Sequence, residues 1–304
     1  MATVAPETAA LRKPRGRRIG WAFLAPAFLA IAIVAIYPLI YTVVVSFSES
    51  SLGRPFAEWV GFDNFAKVLS DGVTVPSLGR SLVFAIPSAL LALVIGFVIA
   101  LSLDVAVRSG KVVRVVFLLP LMTPPVMAGV IWKLMFAPTG GLFNNVLQLV
   151  SPGADPILFL GSSPAAMVSI VVVDVWQWVP FCVLLLFAAL QTLPGEVFEA
   201  AQVDGAGVWR TFRHVTFPLV LPTLVTVLML KLIVSFKVFD LVFIMTGGGP
   251  GLDTTVSSFN IYRTALQQFD VGAAAAQTIV FLVLVTIVIV PLSSYRTRLQ
   301  KAGE

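Results

Sequence analysis

The sequence has little charge, a single cysteine and a single histidine. Only 12% of its 304 residues are charged, whereas average soluble domains carry roughly 25%. Cys182 cannot form an internal disulfide, and His214 has no second histidine with which to bind a metal. Because 58% of the residues are hydrophobic and the mean hydropathy is +0.98, the composition excludes a soluble domain and indicates an integral membrane protein.

Motifs of nucleotide and metal chemistry are also missing. No GxxxxGK[S/T] phosphate loop occurs, and the glycine-rich run at residues 247–251 lacks the Lys-Ser/Thr ending, so we interpret it as a turn. The HExxH motif is absent as well. The formal net charge of +5 could suggest a nucleic-acid partner, but the positive residues gather at the ends of apolar runs, as membrane topology requires. We therefore expect no catalytic site, no metal, no cofactor and no nucleic-acid partner for this chain.

Long apolar runs divide the chain, and each membrane span needs about 20 such residues. The first run exceeds the 7 to 15 residues, roughly, of a signal-peptide core, so it is interpreted as a retained span that Pro38 bends. The sequence predicts an all-α integral membrane protein, with a membrane domain at residues 19–295 between tails at residues 1–18 and 296–304. The six predicted transmembrane helices cover residues 21–47, 81–103, 112–137, 165–190, 218–245 and 271–292.

The distribution of Lys and Arg predicts which side of the membrane each loop faces. Thirteen of the 20 lie in the two tails, near residues 108–114 and near residues 210–213, whereas four lie in the remaining loops and three within predicted spans. Because basic loops stay cytoplasmic, both termini and the loop between spans four and five are predicted to be cytoplasmic.

That loop is a polar island, residues 199–222, between two long apolar runs. Pro194 precedes it and suits the first turn of a helix, where the carboxylates of Glu196 and Glu199 interact favourably with the helix dipole. Gly205 stands where a glycine can take a positive φ and end the helix. We therefore predict a helix, a sharp glycine turn and a second short helix over residues 206–215. An amphipathic interfacial hairpin that merely joins two spans is the alternative.

The island resembles the EAA loop of the permease subunits of binding-protein-dependent ABC importers. The family pattern is Glu-Ala-Ala, three residues, Gly and a later apolar-X-Leu-Pro ending, which here is Leu-Val-Leu-Pro at residues 219–222. The resemblance extends over about residues 20–295 and implies a cytoplasmic coupling loop, residues 194–217, that docks on an ATPase subunit. The ATPase-coupling residues that it implies are Glu199, Ala200, Ala201, Asp204 and Gly205.

The resemblance also implies the partners of an ATP-driven importer in a bacterial-type cytoplasmic (inner) membrane. An extracytoplasmic solute-binding protein would deliver the substrate, and a second, similar permease subunit would complete the path as a heterodimer in membrane lipid. Two cytoplasmic ATPase subunits would bind ATP and Mg²⁺. This chain would then be half of the translocation path and not itself an enzyme.

Five ionisable residues fall within the predicted spans, where a charge costs about 2.5–3.5 kcal/mol near the bilayer centre. They are Lys133, Asp174, Lys231, Lys237 and Asp240. Such residues indicate a solute pathway. For Lys133 and Lys231 a packing role is favoured, and Lys133 lies close enough to the end of its span to snorkel.

Two spans place polar and aromatic residues on one face at helical spacing. These are Asp174, Gln177, Trp178 and Phe181 in span four, and Phe236, Lys237, Asp240 and Ile244 in span five. Carboxylates and amides beside aromatic rings suit a neutral polyhydroxylated ligand. The alternative is that Asp174 pairs with a lysine and only fixes helix packing. The candidate substrate-path residues are Asp174, Gln177, Trp178, Phe236, Lys237 and Asp240.

Shorter motifs resemble the maltose-type carbohydrate permeases of this importer class. They lie at residues 117–120, 237–240, 246–250, 261–264 and 269–272. The resemblance implies import of a sugar or polyol, without naming which one.

Two other functions remain open at this point. An ion-driven secondary transporter of a small polar solute would use Asp174 and Asp240 as proton or cation sites, but such proteins commonly show inverted repeats, and no convincing internal repeat is present. An integral membrane enzyme would need a nucleophile with its base or a metal cluster, and neither motif occurs.

Overall fold

The structure, a computed structural model, describes residues 16–105 and 119–302, with side chains from 24 to 103 and from 119 to 301. Most of these residues are helical. The helices are α1 (Gly16–Ile31), α2 (Tyr37–Ser46), α3 (Asp63–Ser70), α4 (Thr74–Val105), α5 (Pro125–Met135), α6 (Leu142–Val150), α7 (Ser163–Leu190), α8 (Gly195–Val203), α9 (Val208–Thr211), α10 (Phe217–Phe236), α11 (Asp240–Met245), α12 (Ser257–Tyr262) and α13 (Val271–Ala302). An antiparallel hairpin, β1 (Ser48–Glu49) with β2 (Glu58–Trp59), follows α2.

Among the described residues, five helical segments are long and apolar enough to cross a membrane. They are Leu24–Ser46, Thr74–Leu103, Ser163–Leu190, Val208–Phe236 and Val271–Lys301. The third predicted span lies partly outside the described residues. Its described part consists of a helical stretch at residues 119–122 and of α5, which begins at Pro125 after a break at Thr123 and Pro124.

Two of these segments contain a widened π-helical turn just before a proline. The turn Ala32–Ile36 precedes Pro38, and the turn Phe212–Thr216 precedes Pro218. A proline ring clashes with the carbonyl one turn earlier, and proline has no N–H group to donate to it. A widened turn accommodates both the clash and the missing hydrogen bond. The helix predicted over residues 206–215 is present from Val208 onward, but it is not short, because it continues through the widened turn into α10.

Three predicted span limits also differ from the helices. Instead of starting at residue 81, α4 starts at Thr74, because the carboxylate of Asp71 accepts the backbone N–H groups of Val73 and Thr74 and the hydroxyl of Thr74. Instead of ending at residue 292, α13 continues through Pro291 into the predicted tail. Finally, α10 ends at Phe236, well before residue 245.

The core lies around α7, which packs against both α4 and α10. Gly96 of α4 allows a close approach to α7, since a Cβ atom there would lie 2.6 Å from the Cβ of Cys182. In contrast, only 6% of the apolar 18-residue stretch within Leu24–Ser46 is buried inside the protein. The first span is therefore attached at the side of a bundle whose centre is α4, α7 and α10.

The hairpin ties the end of the first span to the start of the last helix. The side-chain amide of Asn64 donates to the carbonyls of Ser46 and Ser48. The carbonyl of Ser50 accepts the backbone N–H groups of Val271 and Gly272. The hairpin and α3 thus close one end of the bundle.

Candidate functional site

Five of the six predicted substrate-path residues line one cavity of about 320 Å³. Asp174, Gln177 and Trp178 reach it from α7, and Lys237 and Asp240 reach it from the chain that follows α10. Pro125, at the start of α5, closes part of the wall. The two polar faces that the sequence indicated are thus brought together, although the geometry of the second differs from the prediction.

The chain leaves helical geometry between α10 and α11. The N–H groups of Lys237 and Val238 bond to carbonyls only three residues back, and Phe239 has φ −136°. The hydroxyl of Ser258 donates to the carbonyl of Val238, and the ring of Phe239 lies 4.9 Å, between centroids, from that of Tyr262. Contacts with α12 therefore stabilise a break that no glycine or proline marks in the sequence.

This break overturns the predicted alignment of Phe236, Lys237, Asp240 and Ile244 on one face of a continuous helix. Phe236 is only 2% exposed, packs edge-on against Phe281 and does not line the cavity. Phe239 lines it instead and was missed by sequence reasoning, because an apolar aromatic residue in an apolar run gives no signal of its position.

A buried ion pair lies beside the cavity. The ammonium nitrogen of Lys231 is 2.6 Å from Asp174 Oδ2, and the two side chains are 0% and 4% exposed. Ser88 of α4 and Ser235 of α10 complete the network, since the hydroxyl of Ser88 donates to Asp174 Oδ2 and both hydroxyls accept from Lys231. The ring of Trp178 lies 5.5 Å from the ammonium nitrogen, within cation–π range.

The expected lysine partner of Asp174 is therefore Lys231. One carboxylate serves both the helix packing and the cavity wall, so the two interpretations of Asp174 do not exclude each other. Lys133 lies elsewhere: its exposed side chain donates to the carbonyl of Ile244 at the end of α11. Lys133 thus caps a helix and does not contribute to the cavity.

The side chain of Gln177 is also held in place by a hydrogen bond. Its side-chain nitrogen donates to the carbonyl of Thr123 at 2.8 Å, at the break before α5. The side chain is buried and lines the cavity. The chain break around Pro124 therefore supplies the acceptor that orients Gln177.

The Glu199 loop forms a helical elbow of α8, Gly205 and α9. Gly205 has φ +68°, the N–H of Gly205 donates to the carbonyl of Gln202, and the N–H of Ala206 donates to that of Ala201. These two bonds make a Schellman motif, which requires the left-handed conformation that glycine adopts without strain. The sharp glycine turn is thus present at the predicted residue.

The elbow presents polar and apolar side chains to solvent. Glu199, Ala200 and Asp204 are exposed, whereas Ala201 faces inward and is 9% exposed. Large apolar side chains flank the turn and are mostly exposed, namely Val203 at 88%, Val208 at 91% and Trp209 at 71%. An exposed apolar patch of this kind marks a surface for contact with another protein or with the membrane.

An aromatic chain connects the elbow to the bundle. Trp209 stacks on Phe212 with ring centroids 5.4 Å apart, and Phe212 lies 6.2 Å from Phe97 of α4. Through these two ring contacts the elbow reaches α4, the core helix that also carries Ser88. In the described ranges, no group of three His, Cys, Asp or Glu side chains could hold a metal ion.

Comparison with known proteins gives consistent matches over most of the chain. Residues 92–296 match the family described as binding-protein-dependent transport system inner membrane component. The chain is 33% identical to the trehalose/maltose transport system permease protein MalF of Thermococcus litoralis, over 93% of this chain and 96% of the relative. It is 32% identical to the sulfoquinovosyl glycerol transport system permease protein SmoG of Agrobacterium fabrum, over 86% and 84%.

A solved structure shares the fold. It is a chain of a bacterial alginate ABC transporter in complex with an alginate pentasaccharide-bound periplasmic protein, with a TM-score of 0.80, 23% identity, and 93% of this chain and 96% of the other covered. The family match and the near full-length 33% identity together show that this chain belongs to the inner membrane components of binding-protein-dependent transport systems, the permeases of ABC transporters, and is a multi-pass membrane protein.

Proposed function

We propose that this chain is the permease subunit of an ATP-driven importer for a carbohydrate or polyol. Family membership carries the transport function, and the chemistry of the cavity and the named substrates of two relatives support the solute class. Those relatives are a trehalose/maltose permease and a sulfoquinovosyl glycerol permease.

The cavity suits a ligand rich in hydroxyl groups. Asp174, Asp240 and Gln177 supply oxygen acceptors, and Lys237 supplies a donor. Trp178 and Phe239 add aromatic faces to the same wall. A few convergent polar groups among apolar surfaces is the usual composition of a small-molecule site. Half of the path would lie on this chain, and a second, similar permease subunit would provide the other half.

The elbow is the proposed coupling site for a cytoplasmic ATPase subunit. The excess of Lys and Arg on one side supports six spans with both termini and the elbow in the cytoplasm. The exposed Glu199 can pair with a basic residue, and the small Ala200 permits close approach. The partners would be two ATPase subunits, which bind ATP and Mg²⁺, and an extracytoplasmic solute-binding protein.

Ion-driven transport has weaker support from the geometry. It would need Asp174 and Asp240 to bind and release protons or cations, and of these two Asp174 is held by Lys231 and Ser88 in a buried network. Uptake should therefore persist when a protonophore collapses the proton gradient, provided that ATP is present.

Gentle purification of the tagged chain from its native membrane tests the proposal. The expected companions are a second permease and a nucleotide-hydrolysing subunit, and the reconstituted assembly should concentrate solute only with ATP and the binding protein. A purified chain that concentrates solute without any companion would contradict the proposed function.

A further inference from the structure

Lys231 has no hydrogen-bond donor left for a solute. An ammonium group carries three N–H donors, and Nζ lies 2.6 Å from Asp174 Oδ2, 2.8 Å from Ser235 Oγ and 3.3 Å from Ser88 Oγ. The side chain is fully buried and is absent from the cavity wall. Any effect of Lys231 on a solute must therefore act through Asp174.

The two carboxylate oxygens of Asp174 have different surroundings. Oδ2 accepts from both Ser88 and Lys231. Oδ1 accepts no hydrogen bond from the described residues. It is nevertheless not fully buried, so part of its surface is accessible. Because Asp174 lines the cavity and is otherwise buried, that surface belongs to the cavity.

Gln177 repeats this arrangement one turn along α7. Its nitrogen is fixed on the carbonyl of Thr123, which leaves its side-chain oxygen as the unused acceptor. Gln177 lines the same cavity, and its side-chain oxygen, which accepts no hydrogen bond from the described residues, is likewise not fully buried. Two oriented acceptors therefore lie on one face of α7, at i and i+3.

We infer that Lys231, with Ser88 and Ser235, is a positioning residue that holds Asp174 so that its Oδ1 accepts a hydrogen bond from a solute hydroxyl. Gln177, held by Thr123, provides the second acceptor. The pair recognises two neighbouring hydroxyl donors of a sugar or polyol, whereas a phosphate or carboxylate group placed directly against the pair would face two acceptors, one of them charged. This inference rests on the proposed function.

The test separates solute binding from helix packing by removing both charges together. Breaking one partner of a buried ion pair leaves an unpaired charge, but replacing both partners with apolar residues is often neutral or stabilising. The Asp174→Leu/Lys231→Met double variant is purified with its partner permease and ATPase subunits. Thermal stability and basal ATP hydrolysis report assembly, and equilibrium binding of radiolabelled maltose, trehalose or sorbitol reports the cavity.

We expect the double variant to remain assembled with its partner subunits, while the Kd for the bound probe rises about tenfold or more. That is the effect of losing one hydrogen bond to a charged acceptor. Ser235→Ala, which keeps the ion pair, should raise Kd by a smaller factor, about threefold. Ser169→Ala is the matched control, because this buried serine of α7 bonds to the carbonyl of Phe159 outside the cavity.

A wild-type Kd in the assembled double variant would overturn the inference and leave the pair with a packing role alone. If the double variant fails to assemble, the serine variants decide, and Ser88→Ala and Ser235→Ala complexes that both match the Ser169→Ala control would overturn it. A wild-type complex that imports a probe with ATP yet binds none of the three would also overturn it. Failure of the wild type to import any probe would instead contradict the proposed solute class.

Discussion

The ammonium nitrogen of Lys231 lies 2.6 Å from Asp174 Oδ2 in the centre of the helix bundle. The contact joins α10 to α7, and Ser88 extends it to α4. Desolvation of two buried ions costs several kcal/mol each, and only good geometry with further hydrogen bonds offsets it. Here each ion has such bonds, so the network stabilises one arrangement of three core helices around the cavity.

Removing one member of this pair should be far more damaging than removing an exposed membrane lysine. Lys231→Met leaves a buried carboxylate without its cation, and we expect a loss of about 3–5 kcal/mol in unfolding free energy. Lys133→Met removes only an exposed cap on the carbonyl of Ile244 and should cost about 1 kcal/mol or less. Denaturant unfolding of the two purified complexes measures the difference. Equal stability of the two variants would contradict the described network.

The close approach of α4 and α7 at Gly96 predicts a steric effect of a single methyl group. Gly96→Ala would place Cβ 2.6 Å from the Cβ of Cys182 and close to the backbone of Val183, so we expect a loss of about 1–3 kcal/mol. Gly79→Ala, in the same helix with nothing within 4 Å, should be neutral or stabilising by up to about 1 kcal/mol. Thermal unfolding of both variants checks this, and a neutral Gly96→Ala would disprove the helix contact.

Charge reversal on the elbow should uncouple uptake. Glu199→Arg keeps an exposed side chain on α8, so we expect normal amounts in the membrane but no measurable uptake, because the proposed contact with a basic ATPase residue becomes repulsive. Glu196→Arg, exposed in the first turn of the same helix, is the matched control and should retain most of the uptake. Uptake assays with immunoblots of the membrane fraction decide, and unchanged uptake in Glu199→Arg would count against the coupling role.

Substitution of the glycine in the elbow turn should impair coupling through backbone strain and not through the volume of the added side chain. Gly205→Ala forces a side chain into the left-handed region at φ +68°, at a cost of about 1–2 kcal/mol, although nothing lies within 4 Å of the added Cβ. A strain of this size lowers the equilibrium constant for forming the native elbow roughly 5- to 30-fold, so we expect uptake per ATP hydrolysed to fall.

Gly207→Ala is the control, with an ordinary φ of −69° and equally open space. Parallel measurement of uptake and ATP hydrolysis distinguishes the two variants. Identical coupling in both would show that the turn does not transmit motion.

The features predicted from sequence are those encoded locally. Gly205 defines the glycine turn of the elbow through its backbone conformation alone, whereas the expected helix-dipole position of Glu199 is wrong, because only Glu196 is acidic in the first turn of α8. The face of Asp174, Gln177 and Trp178 follows from helical spacing within one uninterrupted helix. In both cases the deciding interactions lie within a few residues of one another.

The features that escaped prediction depend on contacts between distant segments. The break after Phe236 is stabilised by Ser258 and Tyr262, and it moves Phe236 into the core and Phe239 onto the cavity wall. Likewise, Asp174 and Lys231 are each conspicuous as charges in apolar runs, but only the packing of α7 on α10 selects Lys231 as the partner.

The location of the elbow is the central claim, and cysteine labelling at Val203 tests it most directly. Val203→Cys places a thiol on a side chain that is 88% exposed, while Cys182 is buried and gives little background. An impermeant maleimide should label this thiol in inside-out vesicles but not in intact right-side-out vesicles, and bound ATPase subunit should protect it. Labelling from the outer side, or labelling that is unaffected by the ATPase subunit, would contradict the account.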